Sequence, residues 1–407
     1  MKRKLRLMAG ILAACMLFPA CGGTEQELDF DGRATEIDLC NYVVRAYLDA
    51  DDYDTEFQTL KTMQRMAMDR QEAEITVRVP QDTSAPYSFV FSSDREFTKF
   101  TTYEMEITGR PDAEGYIGDY FYVDESLIPG NEYFWKVLDK KGKIADYGKT
   151  CVKDAPVRFI NVESVRNFRD IGGWTAENGK KVAYGLVYRG TRLNGQQNGT
   201  MLLTEKGRAR IRDELGIMTE IDLRSESDST GYDQKVQITC VFGDIVNGKN
   251  DRNYLKCDIN QYDAVINSSR NYALLRQIFS YFADESKYPI YFHCNSGADR
   301  TGTIAFLLNG LLGVSFEDLT RDFELTSMYS ARWRSKATSE GFDGEGANKS
   351  GLYQQDGGNY VNWGKLYTDV MEFSEDGTLA DGIANFLKER VGITDEQIAS
   401  IKSILLK

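Results

Sequence analysis

The residues with the clearest chemical potential in this sequence are a cysteine and an arginine with five residues between them. They are Cys294 and Arg300, within the stretch YPIYFHCNSGADRTG at positions 288–302. The apolar residues before Cys294 predict a short buried strand, and the apolar run after Arg300 predicts a helix. The backbone N–H groups of the intervening loop, together with the positive end of the helix dipole, suit a tetrahedral dianion.

Both side chains fit phosphoryl transfer. Arg300 offers a planar fork for two phosphate oxygens. The same positive field favours the thiolate of Cys294, which is the nucleophilic form. We therefore predict a phosphatase loop that forms a phosphocysteine intermediate; an inert buried cysteine near a surface arginine is the alternative. The other residues expected to bind phosphate are Asn295, Ser296, Gly297, Ala298 and Thr301.

The composition restricts the chemistry further. With 407 residues, 42% of them hydrophobic, the chain is long enough for two globular domains. The net charge of −13 argues against a nucleic-acid partner, because no basic stripe is present to neutralise phosphates. The single histidine, His293, excludes a histidine-rich metal centre, so neither a metal nor a cofactor is expected. His293 would point away from Cys294 and hydrogen-bond backbone behind the loop.

The N-terminus has the pattern of an export signal. Residues 1–20 combine a basic start with an apolar run that is too short to span a bilayer. The following Cys21 stands in a sequence that resembles a bacterial lipobox, which predicts lipidation at this cysteine. The chain would then be an exported cell-envelope lipoprotein, facing the periplasm or the cell surface and touching the membrane only through its lipid. Ordinary cleavage near Ala20 is the alternative.

Two regions separate this signal from the chemistry. Residues 21–71 predict a polar tether followed by a short helical segment. Residues 72–155 alternate apolar and polar positions between turn signals, which predicts a small β-sandwich. The stretch from Leu127 to Val137 resembles the late strands of a fibronectin type III module. Its aromatic residues suit a sandwich core better than a ligand platform.

Residues 156–407 predict an α/β domain that must position the loop. Helical and strand patterns alternate here, which favours a central, mostly parallel sheet flanked by helices. In such folds ligands bind at the carboxyl ends of the strands, where Cys294 would lie. Residues 331–365 resemble an insertion, either a substrate lid or a plain surface loop.

Four motifs in this region resemble the bacterial tyrosine and lipid phosphatases. They are Asn167-Phe-Arg-Asp-Ile-Gly-Gly173, the strand that ends at Arg189, Asp222-Leu-Arg224 and His-Cys-Asn-Ser-Gly-Ala-Asp-Arg-Thr-Gly302. The resemblance implies a protein-tyrosine-phosphatase fold and a two-step mechanism without metal. It implies that Cys294 is the nucleophile, Arg300 the phosphate clamp, Asp299 the general acid and Thr301 the hydroxyl that supports the leaving thiolate. Asp222 and Arg224 would line the pocket, with Arg189 and His293 as supporting residues; Asp170 and Asp222 are rival candidates for the acid.

One departure from the family pattern bears on the substrate. The family commonly has lysine where this chain has Ala298, and that lysine resembles the one that lipid phosphatases use on additional phosphates. Its loss favours a simple phosphorylated substrate of the phosphotyrosine type. An inositol-phosphate or phosphoinositide phosphatase and a catalytically silent surface interaction protein are the alternatives. Use of the loop for sulfur transfer or arsenate reduction is a further alternative function.

Overall fold

The computed structural model describes residues 28–40, 42–50, 73–83, 85–123, 127–194, 203–225, 239–329 and 359–407. The predicted signal peptide, Cys21, the second half of the 21–71 segment and most of the 331–365 insertion lie outside these residues. The described chain divides into two compact units. One contains the residues up to Leu39 and those between 72 and 154, and the other contains those between 40 and 71 and from Ala155 to Lys407.

The first unit is built from two sheets. Its strands are β1 (Ala34–Ile37), β2 (Ala73–Pro80), β3 (Tyr87–Ser92), β4 (Phe100–Met105), β5 (Tyr116–Val123), β6 (Glu132–Leu138) and β7 (Ile144–Val152), after a short 3₁₀ turn at Asp31–Arg33. One sheet has the order β1-β7-β6-β3-β4, and the other pairs β2 with β5. Inward residues of both sheets form one apolar core, in which the Phe89 ring stacks 4.0 Å from that of Phe121. Strands β2 to β7 lie within residues 72–155, whose alternation predicts strands, whereas β1 lies in the segment predicted as a tether.

The segment predicted as tether and helix contributes to both units. Strand β1 pairs in parallel with β7 of the first unit. Helix α1 (Tyr42–Leu48) instead buries Val43, Val44 and Tyr47 in the core of the second unit. The apolar face of α1, which the helical spacing predicts, is therefore part of the core that surrounds the cysteine loop's sheet.

The second unit contains a six-stranded mixed sheet. Its strands are β8 (Arg158–Phe159), β9 (Arg169–Asp170), β10 (Val187–Gly190), β11 (Thr219–Asp222), β14 (Asn253–Lys256) and β15 (Ile290–His293), and β12 (Ile245–Val246) and β13 (Lys249–Asn250) form a separate ribbon. The order is β14-β11-β15-β10-β9-β8. The first four strands in this order are parallel, and β9 and β8 run antiparallel to their neighbours. Strand β15 is central and fully buried, so its carboxyl end carries the cysteine loop between two parallel neighbours.

Helices complete the second unit. They are α2 (Glu205–Ala209), α3 (Asp263–Asn267), α4 (Tyr272–Phe282), α5 (Asp299–Leu311), α6 (Phe316–Tyr329), α7 (Asn359–Met371), α8 (Leu379–Phe386) and α9 (Asp395–Leu405), with π turns at Arg210–Glu214 and Leu387–Val391 and 3₁₀ turns at Ser269–Asn271 and Glu285–Lys287. The Thr204 hydroxyl caps α2 and Thr394 forms a capping box at α9. None of the helices in the described ranges has the length and apolarity to cross a bilayer.

Candidate active site

The cysteine loop joins the end of β15 to the first turn of α5. Cys294 follows β15 directly and is 2% exposed. Gly297 has φ +64°, and a Cβ at this position would lie 2.3 Å from the carbonyl oxygen of Gly190 on the neighbouring strand end. Only glycine therefore fits here, because the backbone is left-handed and also touches another backbone. Along the loop Asn295 is half-buried, Ser296 is exposed and Ala298 is fully buried.

Four consecutive carbonyl groups of the loop are hydrogen-bonded to surrounding donors. The Cys294 oxygen lies 3.1 Å from His293 Nδ1, and the Asn295 oxygen accepts from the backbone N–H of Arg192 at 3.2 Å. Asn167 Nδ2 reaches the oxygens of Ser296 at 3.4 Å and Gly297 at 3.1 Å. Because C=O and N–H point in opposite directions across a trans peptide, the N–H groups of residues 295–298 are directed away from these partners. They form a set of donors suited to an anion.

A buried charge network supports the far side of this loop. Arg189 donates to the Gly297 oxygen at 2.9 Å and to Asp322 Oδ2 on α6 at 2.5 Å. Arg169 donates through Nε to Asp322 Oδ1 at 2.8 Å and also reaches the side-chain oxygen of Asn167. One carboxylate therefore holds both arginines, and through them the two side chains that contact the loop carbonyls.

The charges of this network perturb one another. Burial would raise the pKa of Asp322, but the guanidinium groups of Arg169 and Arg189 outweigh burial and hold this pKa below its usual range. Burial and the positive charge of Arg169 lower the pKa of Arg189 to about 10, which leaves Arg189 cationic at neutral pH.

His293 is held from the neighbouring strand β11. Its Nε2 lies 3.0 Å from Glu220 Oε1, and both side chains are completely buried. The other Glu220 oxygen accepts from the backbone N–H of Val241 at 2.8 Å. Both ring nitrogens of His293 thus face acceptor atoms, and the ring is fixed between Glu220 and the Cys294 carbonyl. This arrangement matches the predicted backbone contact and gives the ring no position from which to reach a substrate.

Asp222 and Arg224 pair with each other instead of lining an open pocket. Arg224 donates through Nε and Nη2 to the two Asp222 oxygens at 2.8 and 2.7 Å, and both side chains are fully buried. Burial would raise the pKa of Asp222, but the charge on His293 and the Arg224 hydrogen bond hold this pKa well below its usual range. The pairing argues against Asp222 as a general acid, because a carboxyl with so low a pKa does not carry a proton near neutral pH.

Asp170 is also engaged elsewhere. Its Oδ2 accepts from Arg158 at 2.9 Å and from the backbone of Gly185 at 2.7 Å, and its Oδ1 accepts from the backbone of Gly172 at 2.9 Å. Burial raises the pKa of this carboxyl, but every contact holds the turn that follows β9. Asp170 is thus a structural residue of the glycine-ended turn and not a donor at the cysteine loop.

The remaining predicted residues lie in the first turn of α5. Asp299 is half-buried and accepts a 2.5 Å hydrogen bond from the hydroxyl of Tyr262. Arg300 Nη1 lies 3.4 Å from the Leu223 carbonyl oxygen at the end of β11. The Thr301 hydroxyl is completely buried and has no hydrogen-bond partner within the described part of the chain. In the same part of the chain, no three His, Cys, Asp or Glu side chains are grouped as metal ligands.

Three functional contacts were not predicted from the sequence. Asp322, Glu220 and Tyr262 stand outside the four motifs, and each meets its partner only through tertiary packing. Asn167, Arg169 and Arg189, which hold the loop, belong to the motifs that resemble the family, and this resemblance was the available signal.

Comparison with known proteins identifies a family for this chain. A family model described as the tyrosine phosphatase family matches residues 160–407, which is more than half of the chain. Members of this family are phosphoric monoester hydrolases. The chain belongs to the tyrosine phosphatase family.

Individual relatives are more distant. A tyrosine-protein phosphatase from Nostoc commune is 27% identical over 129 residues, which make up 31% of this chain and 42% of that protein. The chain thus spans less than half the length of this relative. Among solved structures, the core catalytic domain of the PP-IP phosphatase SIW14 from S. cerevisiae, in complex with citrate, aligns with 39% of this chain and 81% of its own. The alignment has 14% identity and a TM-score of 0.24.

Proposed function

We propose that the chain is a cysteine-dependent phosphatase that hydrolyses phosphate monoesters through a phosphocysteine intermediate at Cys294. The observation that carries this proposal is the set of four loop carbonyls hydrogen-bonded to surrounding donors, which leaves the N–H groups of residues 295–298 for an anion beside the sulfur. The N-terminus of α5 adds its dipole at the same point. Arg300 enters from the first turn of this helix, where its guanidinium can bind two phosphoryl oxygens.

The reaction follows in two steps. The Cys294 thiolate attacks phosphorus, an S–P bond forms, and the P–O bond to the leaving group breaks as Asp299 protonates the leaving oxygen. Water then attacks phosphorus, Asp299 takes a proton from this water, and the S–P bond breaks to release phosphate and the thiolate. The loop N–H groups and Arg300 stabilise the charge on the phosphoryl oxygens in both steps.

The buried Thr301 hydroxyl supports the thiolate in this scheme. A buried hydroxyl without a partner is uncommon because it costs free energy. This hydroxyl belongs to the third residue of the helix that starts at the loop. A donor in that position would bind the charged sulfur each time the S–P bond breaks.

An aryl phosphate ester suits this site best. Cys294 is only 2% exposed, so a long, narrow substituent such as phosphotyrosine reaches it more readily than a short one. Ala298 is fully buried and supplies no positive charge for additional phosphates. The relative from Nostoc commune bears the name tyrosine-protein phosphatase. We therefore assign phosphotyrosine-type monoesters as the substrate class.

We also propose a cellular location for the protein and a fold for its first unit. The basic and apolar pattern of residues 1–20 and the lipobox-like sequence at Cys21 support export and lipid attachment at the cell envelope. The shared apolar core of the two sheets supports a small fibronectin type III-like β-sandwich ahead of the catalytic domain. A spacer function between membrane and enzyme is consistent with that arrangement.

The mechanism is tested by hydrolysis of p-nitrophenyl phosphate. Cys294→Ser should abolish turnover and retain vanadate binding, whereas Arg300→Ala should lose both. Cys257→Ser is the matched control, because Cys257 follows the edge strand β14 and its sulfur lies 3.8 Å from the Leu274 carbonyl oxygen. Turnover by Cys294→Ser at the wild-type rate would end the phosphocysteine proposal.

The substrate class is tested separately. Phosphotyrosine peptides should be hydrolysed with a higher kcat/KM than inositol phosphates or phosphoinositides. The reverse order would overturn the substrate assignment and leave the mechanism intact. Absence of hydrolysis on the whole panel would favour a catalytically silent interaction protein.

A further inference from the structure

Tyr262 has a backbone conformation that a bulky side chain rarely adopts. Its φ is +54° and its ψ is −139°, outside the regions available to residues with a Cβ. The residue is also 1% exposed, although it lies in a connection between a strand and a short helix. Strain of this kind persists only when surrounding contacts impose it, and it concentrates at functional sites.

Contacts from α5 and α6 hold Tyr262 in this conformation. The backbone N–H of Tyr262 donates to the Thr303 hydroxyl at 2.8 Å, and this hydroxyl donates to the carbonyl oxygen of Asp299 at 2.9 Å. The Tyr262 hydroxyl donates to Asp299 Oδ1 at 2.5 Å. The ring packs edge-on against Phe323 with centroids 6.2 Å apart. The backbone N–H and the side-chain hydroxyl of Tyr262 are therefore both hydrogen-bonded to the first turns of α5.

We propose that Tyr262 is a positioning residue that orients the Asp299 carboxyl for proton transfer, an inference that rests on the proposed function. The strained backbone allows one rigid side chain to reach from its own loop to the carboxyl of the first helical turn.

The hydrogen bond also favours the transfer itself. The hydroxyl can donate to Oδ1 whether the carboxyl is protonated on its other oxygen or ionised. A hydrogen bond to a charged acceptor is stronger than one to a neutral acceptor, so this bond strengthens as the proton moves to the leaving oxygen. The hydrogen bond thus stabilises the carboxylate as it forms in the first step. It weakens again when water returns a proton to the carboxylate in the second step.

The consequence is a dependence on the leaving group. A phenolate of high basicity needs the proton in the transition state, whereas p-nitrophenolate departs with little help. Tyr262→Phe should lower kcat for phenyl phosphate by about tenfold, the difference between a charged and a neutral hydrogen bond. The rate for p-nitrophenyl phosphate and the inhibition constant of vanadate should change by less than about twofold, because the hydroxyl of Tyr262 acts on the Asp299 carboxyl and not on the bound phosphoryl group.

The experiment compares both substrates across matched variants of the full chain. Tyr272→Phe is the control, since the Tyr272 hydroxyl donates to the Ile266 carbonyl oxygen at 2.9 Å in the same region and has no bond to Asp299. Thr303→Val should reproduce the selective loss by releasing the Tyr262 backbone, and Thr303→Ser, which keeps the hydroxyl, should restore the wild-type ratio. Adding Tyr262→Phe to Asp299→Asn should cause no further loss, because the hydroxyl acts through the carboxyl.

The outcomes separate this inference from the proposed function. Equal slowing of both substrates by Tyr262→Phe, or no slowing, overturns the positioning role. If Asp299→Asn still discriminates between the substrates in that case, the proposed acid stands and only the inference fails. Turnover by Cys294→Ser would instead refute the proposed function, whatever Tyr262→Phe shows.

Discussion

Replacement of Asp322 by asparagine tests whether one buried carboxylate holds the scaffold behind the cysteine loop. Asp322 accepts from Arg169 at 2.8 Å and from Arg189 at 2.5 Å, and these arginines are fully buried. Asparagine has nearly the same shape but no charge, and its NH₂ group would face a guanidinium donor. The two guanidinium groups would then be buried without a counter-charge.

The expected cost follows from this arrangement. Removal of one partner from a buried ion pair destabilises a protein by about 3–5 kcal/mol. Here the single carboxylate serves two cations, so we expect Asp322→Asn to lower the free energy of unfolding of the second unit by at least that range. Activity should fall as well, because Arg189 binds the Gly297 carbonyl oxygen and its anchor would be lost.

The pH dependence of the free energy of unfolding gives a second test. Burial opposes ionisation of Asp322, but Arg169 and Arg189 outweigh it, so the folded pKa lies below the unfolded value. A carboxyl of this kind stabilises the fold above its unfolded pKa and loses that contribution as pH falls through the folded pKa. The difference in stability between wild type and Asp322→Asn should therefore be full at neutral pH and shrink below about pH 4.

Urea unfolding followed by tryptophan fluorescence measures the effect. Trp363 stacks on Phe323, the neighbour of Asp322, with ring centroids 4.4 Å apart, and so reports on this region. Asp318→Asn is the matched control, since Asp318 lies one turn earlier on α6 and pairs with Arg321 at 3.4 Å near the surface. A midpoint for Asp322→Asn equal to that of Asp318→Asn at neutral pH would refute the reasoning.

Two further predictions concern packing. Gly297→Ala should abolish phosphatase activity, because its Cβ would meet the Gly190 oxygen at 2.3 Å; Gly248→Ala, also at positive φ but with nothing within 4 Å, should cost only about 1 kcal/mol and keep activity. Comparable activities of the two variants would contradict the close approach. Tyr47→Phe should lower stability by about 1–3 kcal/mol in thermal unfolding, because its hydroxyl donates to the buried Glu324 at 2.6 Å. Tyr42→Phe, on the exposed face of the same helix, should be neutral, and equal effects would exclude the Tyr47 bond as the cause.

The fold of the second unit was largely predictable from local patterns. Strand β15, the loop and helix α5 follow from an apolar run, a polar turn and a second apolar run, each within a few residues. The caps at Thr204 and Thr394 depend on neighbours three residues away and were equally visible. Strands β2 to β7 of the first unit were predicted from the alternation of apolar and polar residues. The packing of α1 in the core of the second unit was not predicted, because helical spacing reveals an apolar face but not the residues that cover it.

The structure places the predicted residues 294–301 together in one loop and helix start, but their surroundings were not predicted. Asp222 was a rival for the general acid because it could reach in from a neighbouring loop, and its ion pair with Arg224 became evident only in the fold. Asp170 was a rival for a similar reason, and its carboxyl holds a turn. Both corrections have the same cause: a carboxylate in a sequence shows its charge but not its partner.

The sequence by itself was enough to predict the nucleophile, the arginine and the glycine of the loop, because the motif and the apolar runs beside it lie in one continuous stretch of chain. The tertiary structure alone decided what holds them: Asp322 meets Arg189 across 133 residues, Glu220 meets His293 across 73, and Tyr262 meets Asp299 across 37. Such contacts depend on the order of strands in the sheet and on the helix that packs against it. The strand order and the helix packing are determined by burial of the whole apolar core, which cannot be read from any short stretch of the sequence.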